Sequence, residues 1–158
     1  DLTGKGLGID LTDEISGRLS FNVGKVEVCD HKVIFSIDNR VPITYQCAQV
    51  QELIQKQLIG SGFRFENPYA TESIHVSEDS FLVQTLMESY RNVTGDMSAK
   101  PLVDGACSYA RALGNCVAFG ALLPDRPDLM HQTNECLELD KLDLWMKIYL
   151  DAIYRLAK

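Results

Sequence analysis

The sequence predicts an α+β or α/β chain of two lobes, residues 1–77 and residues 78–158. Three observations support this fold class. Apolar residues alternate along 18–40, which predicts a β-hairpin. Apolar residues recur at threes and fours along 44–59, which predicts a helix directly after the hairpin. The same helical spacing returns twice beyond residue 77, so the second lobe is predicted to be a helix, a loop with a short strand, and a helix.

The predicted hairpin has a change of phase in its first strand. Residues 1–17 are rich in Gly and Asp and predict a loop. The apolar positions of LSFNV (19–23) and VEV (26–28) have opposite parity, and Gly24 stands between them. This pattern predicts a bulge or bend at Gly24. The turn CDHK then leads into KVIFSIDN (32–39), which alternates again.

The rest of the first lobe predicts a helix and one more strand. Thr44 is positioned to cap a helix that ends at Gly60 or Gly62. FRFENPYATESIHV (63–76) is predicted to be extended. The order strand-strand-helix-strand is that of a βαββαβ sandwich, a ferredoxin-like domain, without its first strand and helix. Such a sheet has an exposed edge, so pairing with another chain or self-association is expected.

The second lobe predicts two helices around a loop region. Ser77 or Ser80 starts the first helix, and TGD (94–96) ends it. Residues 105–127 predict a tight loop followed by a short buried strand. Asn134 is positioned to cap the last helix. The predicted buried face of that helix consists of Leu142, Trp145, Tyr149, Ala152, Ile153 and Leu156.

Composition excludes two classes of protein. The formal net charge of −7, with 15 Lys and Arg scattered among 22 Asp and Glu, argues against a nucleic-acid surface. No apolar run approaches the roughly 20 residues that span a bilayer. Five cysteines lie at 29, 47, 107, 116 and 136, without a CxxC pair. An odd, dispersed set favours a reducing cytoplasm over a disulfide framework or a zinc ribbon.

One histidine stands out among the three. His131 lies in PDLMHQTNE, between a proline-punctuated loop and the predicted last helix. A ligating histidine needs a rigid neighbour and an acceptor for its second nitrogen, but a lone histidine is weak evidence for a metal site. The sequence has no HxD, HExxH, GxSxG or GxxxxGK[ST] motif and no Glu-Glu pair. The residues therefore indicate no self-contained catalytic centre.

Two longer stretches resemble a known family. The run GACSYARALGNCVAFGALLPDRPDLMHQTNE resembles the C-terminal signature of the zinc-dependent aminoacylase/carboxypeptidase family, in particular bacterial dipeptidases of the peptidase V type. FSIDNRVPITY resembles the lid-domain strand of that family that carries Arg-x-Pro. The similarity covers essentially the whole chain. It implies part of a ferredoxin-like lid domain followed by the end of a catalytic domain.

The resemblance implies roles for five residues. His131 matches a zinc ligand. Arg40 matches the lid arginine that grips the substrate carboxylate, although the residues alone favour a solvated strand-end arginine. The loop from Gly105 to Arg111 matches a stretch that lines the substrate cleft, with Ser108 and Arg111 as binding residues. The usual Gly-Gly-Thr of the family is Ala106-Cys107-Ser108 here.

The implied reaction is hydrolysis of a short peptide by two zinc ions, or manganese in their place, with a glutamate that moves the proton. The glutamate and the other ligands would lie outside this sequence, so we expect the 158 residues alone to be inactive and to bind no zinc tightly. Two alternatives stay open. One is a deacylase of N-acyl amino acids, which Tyr109 in SYAR disfavours. The other is a non-catalytic ferredoxin-like regulatory or assembly module.

Overall fold

The structure, a computed structural model, consists of two compact units. Residues are described over 1–66, 69–105, 107–120 and 122–158. The first unit contains Asp1–His75 and Val103–Cys107, and the second contains Val76–Leu102 and Ser108–Lys158. Each helix that the structure describes is too short or too polar to cross a membrane.

The main sheet of the first unit is the predicted hairpin, which is confirmed. Its strands are β3 (Ser20–Cys29) and β4 (Lys32–Arg40), paired antiparallel. Asp30 and His31 form the turn with φ of 45° and 62°. Two consecutive left-handed residues match the twist of the flanking strands, and Asp and His tolerate that conformation better than β-branched residues do.

The hairpin has one polar face and one apolar face. Its register shifts between Val23 and Lys25, which confirms the predicted bulge at Gly24. Without the extra residue, everything beyond it on β3 would turn to the other face. We define the apolar hairpin face as three cross-strand pairs, which are Val23–Ile37, Val26–Phe35 and Val28–Val33.

The N-terminal segment is more structured than the predicted loop. It contains a 3₁₀ turn at Lys5–Leu7 and a small antiparallel pair, β1 (Thr12–Asp13) and β2 (Gly17–Arg18). Ile9 is completely buried, because it packs into the core below the hairpin. Leu19, Phe21, Val50 and Ile54 complete that core. Ile9 lies among glycines and acids in a segment with little periodicity, so the sequence pattern did not single it out.

The predicted helix of the first unit is confirmed, but its start is not. Helix α1 spans Cys47–Leu58 and begins after Gln46, whose N–H donates to Gln49 Oε1 at 3.1 Å. Thr44, the predicted cap, instead hydrogen-bonds to Asp13, 31 residues away. Beyond the helix, Gly60 and Gly62 both adopt positive φ, as predicted for its end.

The additional strand predicted at 63–76 is not formed by its described residues, 63–66 and 69–76. Among the described residues, β4 is therefore the last strand. The ferredoxin-like arrangement stays a prediction. A third strand needs a partner edge to hydrogen-bond with, and apolar alternation alone does not supply one.

The second unit is built on two packed helices. Helix α2 spans Phe81–Thr94, as predicted, and Ser80 Oγ accepts from the Val83 N–H at 3.2 Å. Gly95 ends it in a left-handed conformation with φ of 77°. Helix α3 spans Leu139–Leu156 and packs against α2. An ion pair between Arg155 and Glu88, 3.0 Å apart, also joins the two helices.

The start and part of the buried face of α3 differ from the prediction. Glu138, not Asn134, precedes its first residue, and Asn134 lies in a turn with φ of 63°. Trp145 and Ala152 are buried as predicted, and Ile148 joins them. Three predicted core residues are exposed instead, namely Leu142, Ile153 and Leu156.

The strand predicted within 105–127 is also absent from the described residues of that range. A 3₁₀ turn at Tyr109–Ala112 occurs there. Phe119 packs edge-on against Trp145, and its carbonyl accepts from the Tyr149 hydroxyl at 3.1 Å. The apolar residues of this loop are thus held by the aromatic side chains of α3 rather than by a sheet.

Candidate functional site

Arg40 is the predicted site residue of the first unit. It is the last residue of β4 and pairs with Ser20 across the hairpin. Its register places it on the polar face, opposite to the apolar hairpin face. Its Nε lies 3.1 Å from Asp38 Oδ2, and both side chains are largely exposed. A single exposed ion pair of this kind is weak, so the guanidinium can exchange Asp38 for an incoming carboxylate.

Gly105 lies directly against Arg40. A Cβ atom built on Gly105 would be 3.7 Å from Arg40 Cγ, an ordinary van der Waals distance. The structure therefore brings together two predicted substrate-binding residues that are 65 positions apart in the sequence. Alanine could therefore occupy position 105 without a clash.

Ser108 and Arg111 belong to the second unit and share its 3₁₀ turn. Ser108 Oγ accepts from the Ala110 N–H at 3.3 Å, and the Ser108 carbonyl accepts from the Arg111 N–H at 3.2 Å. Arg111 is half-buried, and Ser108 is exposed. The cap orders Ser108 and leaves its hydroxyl hydrogen available to an acceptor. Ala106, the first residue of the altered Gly-Gly-Thr, lies outside the described residues.

His131 sits in a compact turn that is tied by local hydrogen bonds. Its backbone N–H donates to Glu135 Oε2 at 3.2 Å, and its φ is 62°. Asp128 orders the preceding residues, because its Oδ1 accepts from the Met130 N–H at 2.9 Å and its carbonyl accepts from Gln132 Nε2 at 2.8 Å. The turn holds the backbone of His131, while its side chain is exposed. Left-handed non-glycine residues are uncommon and often occur at functional positions.

The donor chemistry of His131 suits a transition metal, but one residue is not a metal site. An exposed imidazole is a common zinc ligand. Over the described ranges, no three His, Cys, Asp or Glu side chains gather closely enough to hold an ion. His131 can therefore contribute one ligand to a centre whose other ligands come from elsewhere.

Sequence reasoning missed one strongly organised acidic residue, Asp13. Its carboxylate accepts from the Ile15 N–H at 3.0 Å, from Ser16 Oγ, and from the N–H and Oγ of Thr44, both at 3.1 Å. Ser16 Oγ in turn accepts from the Ile43 N–H at 2.9 Å. Asp13 thus fixes the loop between β4 and α1. The local signal was Asp-x-x-Ser, a frequent turn motif, but the partner in the distant loop carries no sequence signature.

Comparisons with known proteins point to one class, the dipeptidases. The chain is 37% identical over 159 residues to "Putative dipeptidase YtjP" of Bacillus subtilis. It is 36% identical over 156 residues to "Putative dipeptidase SH1171" of Staphylococcus haemolyticus. It is also 33% identical over 155 residues to a Staphylococcus epidermidis protein with the name "Putative dipeptidase". No family model matches the chain.

These similarities cover the chain almost entirely but only part of each relative. They extend over 98–100% of the 158 residues and over 33–34% of the relatives. The chain thus spans about a third of the length of the proteins that it matches. The similarity supports a dipeptidase origin for these residues, and it leaves two thirds of each relative without a counterpart here.

Proposed function

We propose that these residues form one part of a metal-dependent dipeptidase. The observation that carries the proposal is the similarity to dipeptidase-named proteins along the entire chain. Identity of 37% over 159 residues is far too extended to reflect one shared motif. The resemblance of the MHQTNE and SYAR segments to a zinc peptidase family supplies the reaction class.

In this proposal the predicted substrate-binding residues hold the peptide. Arg40 binds the free carboxylate of the substrate, because its planar guanidinium offers two parallel N–H donors and is always charged. Gly105 lies beside the stem of Arg40. Ser108 and Arg111 contribute further polar contacts to the peptide.

His131 holds one metal ion through its imidazole. With zinc or manganese held there, the site would gain a Lewis acid that could polarise the scissile carbonyl and lower the pKa of a bound water. The turn at 130–134 fixes the histidine backbone, so less entropy is lost when the ring binds. The remaining metal ligands come from the other two thirds of a protein of the relatives' length. The same part supplies the glutamate that moves the proton.

The test is a chimera in which the matching third of YtjP is replaced by these 158 residues. We expect it to hydrolyse dipeptides and to lose at least about 100-fold in kcat/KM on His131→Ala, the scale of a lost metal ligand or orienting contact. Arg40→Ala should raise KM more than Arg40→Lys does, because lysine keeps the charge but not the paired donors. His31→Ala, in the hairpin turn, is the matched histidine control.

Three outcomes would contradict the proposal. In the first, a folded chimera hydrolyses no dipeptide. In the second, His131→Ala and His31→Ala have the same effect. In the third, the chimera cleaves N-acyl amino acids and spares dipeptides, which would make the protein a deacylase.

A further inference from the structure

Glu135 follows His131 by four residues and binds its backbone. The Oε2 atom of Glu135 accepts from the His131 N–H at 3.2 Å. The Glu135 N–H in turn donates to the Gln132 carbonyl at 3.2 Å, which closes a tight turn over residues 132–135. A charged acceptor binds an amide more strongly than a neutral one does. Glu135 is therefore joined to the predicted metal ligand by a charge-assisted hydrogen bond.

The backbone of His131 has a conformation that its surroundings must support. Its φ is 62°, in the left-handed region that residues with a side chain seldom occupy. Such a conformation persists where neighbouring groups impose it. The backbone angles of a residue also set the direction in which its Cα–Cβ bond leaves the chain. A group that holds the His131 amide therefore also fixes the direction from which the imidazole extends.

His31 provides a comparison within the same chain, because its φ is also 62°. It lies in the turn between β3 and β4, where two paired strands favour a left-handed conformation. His131 has no such frame, since residues 127–138 belong to neither a helix nor a strand. Its conformation depends on contacts within the loop, and the carboxylate of Glu135 makes one of them directly to its amide.

A second glutamate of the same loop has a different task. Glu138 Oε1 lies 3.0 Å from Arg126 Nη1, and these two residues stand at the two ends of the segment that carries His131. Their ion pair closes the base of the loop. Glu135 and Glu138 are both exposed and only three positions apart. They therefore form a matched pair in which one carboxylate binds the histidine backbone and the other binds a distant side chain.

We propose that Glu135 is a positioning residue for His131. Its carboxylate holds the His131 amide in the left-handed turn and thereby directs the imidazole towards a metal ion. The inference rests on the proposed function, in which His131 is one ligand of that ion. Groups that orient a metal ligand typically contribute about 10–100-fold to metal affinity. Glutamine at position 135 keeps an acceptor oxygen and should preserve most of the effect, whereas alanine removes the acceptor.

The hydrogen bond itself is tested in the 158-residue chain without metal. The sequence contains three histidines, so labelling histidine with ¹⁵N gives three backbone amide signals, which His131→Ala and His31→Ala assign. We expect Glu135→Ala to move the His131 amide proton to lower frequency, because its charged acceptor is lost, and to leave the His31 signal in place. Glu135→Gln should move it less. A His131 signal that does not respond to Glu135→Ala would overturn the inference.

The effect on the metal is tested in the YtjP chimera by competition for zinc with a chelator. The measured ion is the one whose binding His131→Ala abolishes. We expect Glu135→Ala to weaken its binding about 10–100-fold and Glu135→Gln to weaken it much less. Glu138→Ala, which opens the base of the loop but leaves the His131 amide bonded, should have the smaller effect of the two alanine variants. Equal losses for Glu135→Ala and Glu138→Ala would show a general loosening of the loop and overturn the positioning role.

Hydrolysis of dipeptides by the same chimera is scored separately. Zinc binding that depends on His131 and Glu135, in a chimera that hydrolyses no dipeptide, refutes the proposed function alone. Hydrolysis with a zinc affinity that Glu135→Ala leaves unchanged refutes the role of Glu135 alone. A folded chimera in which His131→Ala does not alter zinc binding refutes both.

Discussion

At the scale of single residues, Asp13 shows how one carboxylate organises a loop. Desolvation is the largest single influence on it and opposes its ionisation. The hydrogen bonds from Ser16 and Thr44 together outweigh desolvation, so they hold the pKa of Asp13 well below its usual range. The ionised form is therefore the one that the folded chain prefers.

The sign of this shift predicts an acid-dependent stability. A depressed pKa in the folded state stabilises the protein above the pKa of the unfolded state, about 3.9, and the contribution is lost as the pH falls towards the folded value. We expect Asp13→Asn to lower Tm at pH 7 and the difference from wild type to shrink below about pH 4. Thermal unfolding monitored by circular dichroism from pH 7 to pH 2 measures it. Glu14→Gln, at the neighbouring exposed carboxylate, is the control, and a gap for Asp13→Asn that stays constant with pH would contradict the assignment.

Residue-level predictions succeeded where the cause is local. The bulge at Gly24 follows from a change of parity within one strand, and Gly60 follows from the left-handed conformation that ends a helix. Thr44 failed as a cap because Asp13, far away in the sequence, takes its hydroxyl. The Thr44 hydroxyl could bind either the backbone at the start of α1 or the Asp13 carboxylate. Only the tertiary fold decides between these two partners.

At the scale of elements, α3 shows that helical periodicity predicts a helix without predicting which of its apolar residues are buried. Its apolar residues surround more than one face, so the sequence marks a helix but not which stripe packs against α2. Ile148 is fully buried beside Trp145, whereas Ile153 is 65% exposed. Both are isoleucines of the same helix, so the difference in burial does not come from residue type.

The two isoleucines are expected to respond very differently to truncation. Ile148→Ala removes buried methyl groups and leaves a cavity, so it should cost about 2–5 kcal/mol of unfolding free energy. Ile153→Ala removes mostly exposed surface and should cost less than about 1 kcal/mol. Urea unfolding followed by the fluorescence of Trp145, the single tryptophan, measures both. Equal losses would show that Ile153 is buried as the periodicity predicted.

Elements that need no distant partner were predictable, and those that need one were not. The hairpin, α1 and α2 follow from alternation, helical spacing and capping within a few residues. The strands expected at 63–76 and within 105–127 had apolar residues, but the described residues of these ranges pair with no neighbouring strand. The start of α3 was placed too early because Asn134, a residue type that often caps helices, lies instead in a left-handed turn before the helix.

At the scale of the whole molecule, the predicted site residues are divided between the two units. Arg40 and Gly105 belong to the first unit, and Ser108, Arg111 and His131 belong to the second. Composition and spacing alone did not single out Arg40 or Gly105, and only the family resemblance connected them to a carboxylate. In the structure the two residues lie close together, because a Cβ atom at position 105 would be 3.7 Å from Arg40 Cγ.

The same distribution predicts how the isolated chain responds to zinc. Tight zinc sites take about three or four protein ligands, and the described residues assemble no such group around His131. Zinc titrated into the 158 residues should therefore give no saturable one-to-one binding in calorimetry and no rise in Tm, because a ligand stabilises only the state that binds it. The YtjP chimera should bind zinc and gain stability, and His131→Ala should weaken both effects. Stoichiometric binding by the isolated chain that His131→Ala abolishes would instead place a complete centre within these residues, and dipeptide hydrolysis should then be sought in the isolated chain itself.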